Sequence, residues 1–183
     1  MIRLIGPGGA GKSTVGSALA TQLGVTFLDL DEEFMKRVGD ISIHIDHMGY
    51  ESYARENVGI YMSMATVSPS VIALSSGFMT YPYNIHSDYV KVRAEIADSP
   101  TTFVLIPSVD FETCVHETVR RQVGRPFGRS SEREEAVIRE RYAIYLAIPS
   151  AKIETKRPVG EIVEQIADLL PPNTPLCRPM NRD

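Results

Sequence analysis

The run Gly6-Pro7-Gly8-Gly9-Ala10-Gly11-Lys12-Ser13-Thr14 fits the pattern G-x-x-x-x-G-K-[ST], whose chemistry is the cradling of a nucleoside triphosphate. Glycines let backbone N–H groups converge on phosphate oxygens at a helix N-terminus, where the aligned peptide dipoles add positive potential. Gly8, Gly9, Ala10, Gly11, Lys12, Ser13 and Thr14 are therefore expected to hold the phosphates of ATP or GTP. Lys12 should reach the terminal phosphates and Ser13 should ligate Mg²⁺. A chance match in a glycine-rich turn is the plain alternative. The setting speaks against it, because an apolar strand candidate, Ile2 to Ile5, precedes the loop, and Val15, Ala18, Leu19 and Leu23 follow on one helical face.

Such a loop occurs in kinases, switches, motors and transporters alike, so other residues must narrow the chemistry. The segment Phe27-Leu28-Asp29-Leu30-Asp31 ends a second strand candidate with two carboxylates, and the strand alternation puts both on one side. In an open α/β sheet that end of the strand forms the ligand crevice. One carboxylate there can accept a hydroxyl proton or hold an acceptor oxygen in line, while its neighbour can hold Mg²⁺ through water. The competing reading is that one acid simply caps the following helix. A second cluster, Arg120 to Arg129, combines four arginines with two glycines and reads as a mobile basic lid over about 120–131. A guanidinium brought in by closure would stabilise the charge that spreads over a transferring phosphoryl group, and Arg125 is the residue assigned to that role. A solvent-exposed turn is the alternative there.

Short apolar runs recur at Ile2 to Ile5, Phe27 to Leu30, Val71 to Leu74, Phe103 to Ile106 and, more weakly, Lys152 to Glu154, with helical patterns between them. That rhythm predicts an α/β fold with a parallel sheet wrapped by helices. The clearest later helices are Glu132 to Ala147 and Val159 to Leu170, the second with an apolar stripe that packs on a sheet. With 183 residues and 43% hydrophobic content, one domain over 1–170 is expected, followed by a proline-rich loose tail over 171–183. A net charge of −4 argues against a protein that coats nucleic acid, and no apolar run reaches membrane-spanning length. Two cysteines, Cys114 and Cys177, have no metal-type spacing, which makes a reducing cytoplasm the default. The first strand begins so near Met1 that no signal peptide is expected.

Taken together, these residues resemble the shikimate kinases, P-loop enzymes that pass the γ-phosphate of ATP to a hydroxyl of a carboxylated cyclohexene. The likeness runs from Ile2 to about Leu170. It rests on Gly6 to Gly16, on Phe27-Leu28-Asp29-Leu30-Asp31 followed by Gly39, on Arg125-Pro126, and on Arg141-Tyr142-Ala143-Ile144-Tyr145, which matches the family's R-x-x-x-Y. The resemblance implies a P-loop three-layer fold: five parallel strands, helices on both faces, a lid, and an acceptor-binding region around 32–62. It further implies that Asp31, rather than Asp29, orients or deprotonates the acceptor hydroxyl, which leaves Asp29 as the neighbour that can hold Mg²⁺ through water, and that Arg125 touches the nucleotide phosphates. Arg141 would grip the acceptor carboxylate, and Arg157-Pro158 would pack the adenine. A monomer acting on a small hydroxylated acceptor, shikimate first of all, follows from the same likeness.

Two departures fall on the acceptor side. The family shows glycine, three positions, then Phe-Arg, with that arginine on the carboxylate; here Gly49 leads to Tyr53-Ala54, and Arg55 is one position late. One residue turns a helical side chain by about 100°. Arg55 then reaches the carboxylate only if the register shifts or its long side chain swings across; a second alignment sets Tyr53 in the arginine's place. After the third strand the family has three glycines, whereas this chain has Ser75-Ser76-Gly77-Phe78, so that Ser76 and Gly77 border the acceptor. The two serines either reshape the pocket or satisfy nearby backbone. A kinase of another polyol, sugar acid or antibiotic, and a nucleotide-binding module without transfer activity, are the alternatives.

Overall fold

The computed structural model describes residues 1–123, 130–172 and 174. Five strands, β1 (Ile2–Ile5), β2 (Thr26–Asp29), β3 (Ser70–Ala73), β4 (Thr102–Ile106) and β5 (Ala151–Glu154), form one sheet in the order β2-β3-β1-β4-β5. Every neighbouring pair is parallel. Strands this short and this apolar cannot be hydrated on either side, so helices must cover both faces. Alternation along the strands divides the core accordingly. Leu4, Val71, Phe103 and Leu105 pack with α1 (Lys12–Leu23) and α8 (Val159–Asp168). Ile5, Ile72, Val104 and Ile106 face the other way. There they meet α2 (Leu30–Arg37), α4 (Tyr50–Met64), α5 (Tyr89–Asp98), α6 (Phe111–Val123) and α7 (Ser131–Ala147). The remaining helix, α3 (Ile41–Met48), contributes no buried residue and leans on α4 through partly buried Ile41 and Ile45.

The winding direction reverses at β1: β2 and β3 lie to one side and β4 and β5 to the other. Loops leaving the carboxyl ends of β1, β2 and β3 therefore converge over the middle of the sheet. Close packing fixes the helix behind the β1 loop. A Cβ at Gly16 would stand 2.5 Å from the Phe27 ring and 3.2 Å from Leu4, so only glycine lets α1 approach this near. Gly24 ends α1 in a left-handed conformation, its N–H bonded to the carbonyls of Ala20 and Thr21.

Two expectations are corrected here. Asp31 is not a strand residue: β2 stops at Asp29, which is the N-cap of α2, and Asp31 lies in that helix's first turn. The basic segment 120–131 is not a lid throughout, since Arg120 and Arg121 form the last turn of α6 and Ser130 caps α7. Both arginines pair with Glu117 one turn back, an i, i+3/i+4 arrangement that favours helix over turn. Arg125 and residues 124–129 lie outside the described residues.

Candidate active site

The loop after β1 is shaped by Gly9 and Gly11, with φ of 69° and 86°, a region that side-chain-bearing residues rarely enter. Gly11 is the N-cap of α1 and offers no side chain to the first N–H groups of the helix, which stay available to an anion. The Lys12 Nζ donates to the carbonyls of Gly6 (2.9 Å) and Pro7 (2.8 Å), so the ammonium is held over the loop. Ala10 is buried beneath it and Thr14 is exposed on α1. Ala10 has no polar side-chain atom, so only its backbone N–H could meet a phosphate.

Asp29 does two things at once. Its Oδ1 accepts from the N–H groups of Asp31 (3.0 Å) and Glu32 (3.3 Å), capping α2, while its Oδ2 accepts from the Ser13 hydroxyl at 2.6 Å. The helix-cap reading and the metal reading of this acid are thus compatible. Ser13 and Asp29 offer adjoining hard oxygens, the donor type that Mg²⁺ takes alongside waters and phosphate oxygens. The described residues contain no cluster of three or more His, Cys, Asp or Glu side chains arranged for a metal. A site of one hydroxyl, one carboxylate and substrate oxygens fits that pattern.

Behind the phosphate loop lies a cavity of about 250 Å³. Gly8, Gly9, Gly11, Lys12 and Ser13 of the phosphate loop line it together with Asp29, Asp31, Ser76, Gly77 and Arg141. Asp31 keeps part of its surface open to the cavity, yet enough protein surrounds it that desolvation raises its pKa. The Ser75 hydroxyl opposes that rise and the Asp29 charge adds to it. Arg141, from α7, donates to Ser76 Oγ (3.4 Å) and Tyr50 Oη (3.2 Å), so its guanidinium is aimed across the cavity by neutral partners.

Several cavity residues escaped the sequence reading, and Tyr53 is marked there only by the second alignment. Tyr50 and Tyr53 enter from α4 at i, i+3 spacing; Ile41 and Ile45 come from α3 at i, i+4; Leu74, Gln122 and Glu134 complete the lining. Arg121, counted with the lid in the sequence, is instead a brace. It donates to the carbonyl of Gly9 (3.2 Å) and to Thr155 Oγ1 and O (both 3.0 Å), tying the phosphate loop to the end of β5. Glu117 holds that guanidinium from the other side, its carboxyl drawn down to about 2, first by Arg120 and then by Arg121.

Other expected residues lie outside the cavity. Arg55 donates its Nε–H to the Ile85 carbonyl at 3.3 Å and does not line the cavity, while Ala54 is fully buried in the core. The register question therefore resolves with Tyr53, and neither Ala54 nor Arg55, lining the cavity. Arg157 is exposed and donates to the Glu154 carbonyl (3.4 Å) and to Gln165 Oε1; Pro158 is the N-cap of α8. Neither lines the cavity.

A parallel sheet that reverses at the strand feeding a phosphate loop, with carboxylates and a guanidinium facing that loop across one cavity, defines a P-loop phosphotransferase. Comparison with known proteins agrees. A shikimate kinase family model matches residues 8–171. The shikimate kinase of Thermobifida fusca is 31% identical, over 92% of this chain and 93% of its own. The solved shikimate kinase of Aquifex aeolicus superposes with a TM-score of 0.68 at 26% identity, covering 92% of this chain and 94% of that one. That of Acinetobacter baumannii, solved in complex with shikimate, shares the fold with a TM-score of 0.72 at 24% identity, covering 92% and 90%. The chain belongs to the shikimate kinase family. It is an ATP-dependent phosphotransferase with an alcohol acceptor.

Proposed function

We propose that this chain transfers the γ-phosphate of ATP to a ring hydroxyl of shikimate, giving shikimate 3-phosphate, as a monomer in the cytoplasm. One observation carries the reading: Lys12 and Ser13 of the phosphate loop, the carboxylate of Asp31 and the guanidinium of Arg141 line a single cavity. The family membership and the shikimate-bound relative point to the same acceptor.

In this mechanism the loop N–H groups and Lys12 hold the β- and γ-phosphates, where charge grows during transfer. Ser13 and Asp29 would hold Mg²⁺, which when bound neutralises phosphate charge. Asp31 accepts the proton of the acceptor hydroxyl, or fixes that oxygen in line with the γ-phosphorus. Arg141 anchors the acceptor carboxylate, so that ring and phosphate are held in reacting geometry. Arg125, outside the described residues, is assigned the phosphates on the motif alone, and Arg157-Pro158 the adenine.

A second acceptor within the same reaction class is favoured by a specific observation. Among the described residues Arg141 is the one guanidinium lining the cavity, while Tyr50, Tyr53 and Ser76 supply neutral hydroxyls. Another polyol, sugar acid or aminocyclitol would use those hydroxyls. ADP release measured over shikimate, quinate, gluconate and aminocyclitols separates the two. Shikimate having the highest kcat/KM supports the first reading; turnover of another acceptor with none for shikimate supports the second.

A further inference from the structure

We propose that Tyr53 and Ser75 are positioning residues for Asp31: both hydroxyls hold its Oδ1, so that Oδ2 is the oxygen presented to the acceptor. The inference rests on the reading of Asp31 as the group that meets the acceptor hydroxyl. Three elements converge on the carboxylate. Asp31 comes from α2, Tyr53 from α4, and Ser75 from the loop after β3. Tyr53 Oη donates to Oδ1 at 3.3 Å and Ser75 Oγ donates to the same oxygen. Both donors are buried, and the Tyr53 ring is wedged between Phe34 and Tyr50 with centroids 5.0 and 5.7 Å away.

The Ser75 hydroxyl is therefore not satisfying its own turn. That turn is closed by backbone, Phe78 N–H to Ser75 O at 3.0 Å, which leaves the side chain to Asp31. Burial drives the Tyr53 phenol far above its ordinary pKa, so it keeps its proton and faces the carboxylate as a donor.

Two consequences follow for the reaction. The terminal torsion of an aspartate is broad, and two donors on one oxygen confine it; an acceptor then always meets the same lone pairs. Donors to the charged form also offset the burial that would otherwise protonate a base. The charged and titratable groups around Asp31 come from every side. Asp29 lies at the end of β2, Lys12 in the loop, Tyr50 and Tyr53 on α4, Tyr81 behind Tyr53, and Arg141 and Glu134 on α7. Of these, Asp29 raises the Asp31 pKa and Lys12 lowers it, with Ser75 the largest opposing influence to burial.

The direct test is the steady-state kinetics of Tyr53→Phe, Ser75→Ala and the double variant of the full chain, each made in the wild-type and in the Asp31→Asn background, with ATP, Mg²⁺ and whichever acceptor is turned over. Without the donors the carboxylate loses its fixed orientation, so kcat should fall by about threefold to tenfold in each single variant and furthest in the double variant, while the KM for ATP stays within about twofold. In the Asp31→Asn background the same substitutions should change the residual kcat by less than about twofold. A double variant with kcat within about twofold of the wild type, or losses as large in the Asp31→Asn background, overturns the proposal. The acceptor is whichever one the panel identifies, so failure of shikimate as a substrate leaves this result standing.

Discussion

Substituting Gly77 by alanine probes the acceptor wall with little cost to the fold. The Gly77 backbone sits at φ −96° and ψ −10°, which alanine adopts freely. Its added Cβ would stand 2.4 Å from Tyr50 Oη, 3.1 Å from the Tyr81 ring and 3.2 Å from Arg141 Nη2. Ordinary contact begins near 3.4 Å, so the Tyr50 hydroxyl must retreat by about 1 Å, the difference from 2.4 Å. That movement breaks its 3.2 Å bond from Arg141 and frees the guanidinium from its aim. A hydrogen bond to a charged group contributes about 1.5–3 kcal/mol. Tyr50 is 41% exposed, which selects the lower end, equivalent to roughly a tenfold rise in acceptor KM. The KM for ATP and kcat should each change less than about twofold, and Tm should fall by no more than about 4 °C. Steady-state rates with a coupled ADP assay read all three constants. In a Tyr50→Phe background, which lacks the displaced hydroxyl, Gly77→Ala should add less than about twofold. Effects that multiply fully, or an unchanged acceptor KM in the single variant, would refute this picture of the wall.

Other perturbations reach different parts of the site. Lys12→Ala should abolish turnover while circular dichroism and Tm stay near wild type; activity within about tenfold of wild type would remove Lys12 from phosphate stabilisation. Asp29→Asn preserves the α2 cap but removes the charge, so it should raise the Mg²⁺ concentration needed for half-maximal rate. Asp29→Ala should in addition lower stability by about 1 kcal/mol, read by urea unfolding. Glu117 has a folded-state pKa of about 2, below the ordinary carboxylate value. Its contribution to stability is therefore complete above the unfolded pKa and is lost as pH falls through the folded one. The Tm gap between wild type and Glu117→Gln should be full near neutral pH, shrink below about pH 4.5 and close near about pH 2. An equal gap at both ends would show that the ion pairs to Arg120 and Arg121 are not its cause.

Much of the donor half was legible because its information is local. Nine consecutive residues specify a loop whose backbone does the binding, and each strand announced itself by an apolar run within one or two residues of its observed ends. The acceptor half is assembled from α2, α3, α4, α7 and the loop after β3, and its meaning appears only on convergence. Tyr50 and Tyr53 show helical spacing, yet the sequence leaves two registers open and does not choose the one in which this face of α4 meets a cavity while Ala54 meets the core. For Ser75 and Ser76 the sequence leaves a pocket role and a turn role both open; tertiary placement gives one to Asp31 and the other to Arg141. Arg121 misled for the opposite reason. Arginines beside glycines suggest a loop, but the i, i+4 pairing with Glu117 extends α6 and turns that side chain onto the phosphate loop.

In the proposed reaction one cavity brings an ATP phosphate and a ring hydroxyl of shikimate together between Lys12 and Asp31. Incubation with γ-labelled ATP, Mg²⁺ and shikimate, followed by mass spectrometry and phosphorus NMR of the shikimate fraction, measures this directly. Label is expected in a single shikimate monoester at the 3-position, abolished in Lys12→Ala and sharply reduced in Asp31→Asn. Label appearing only as inorganic phosphate, or an equal yield of monoester from the Asp31→Asn enzyme, would contradict it.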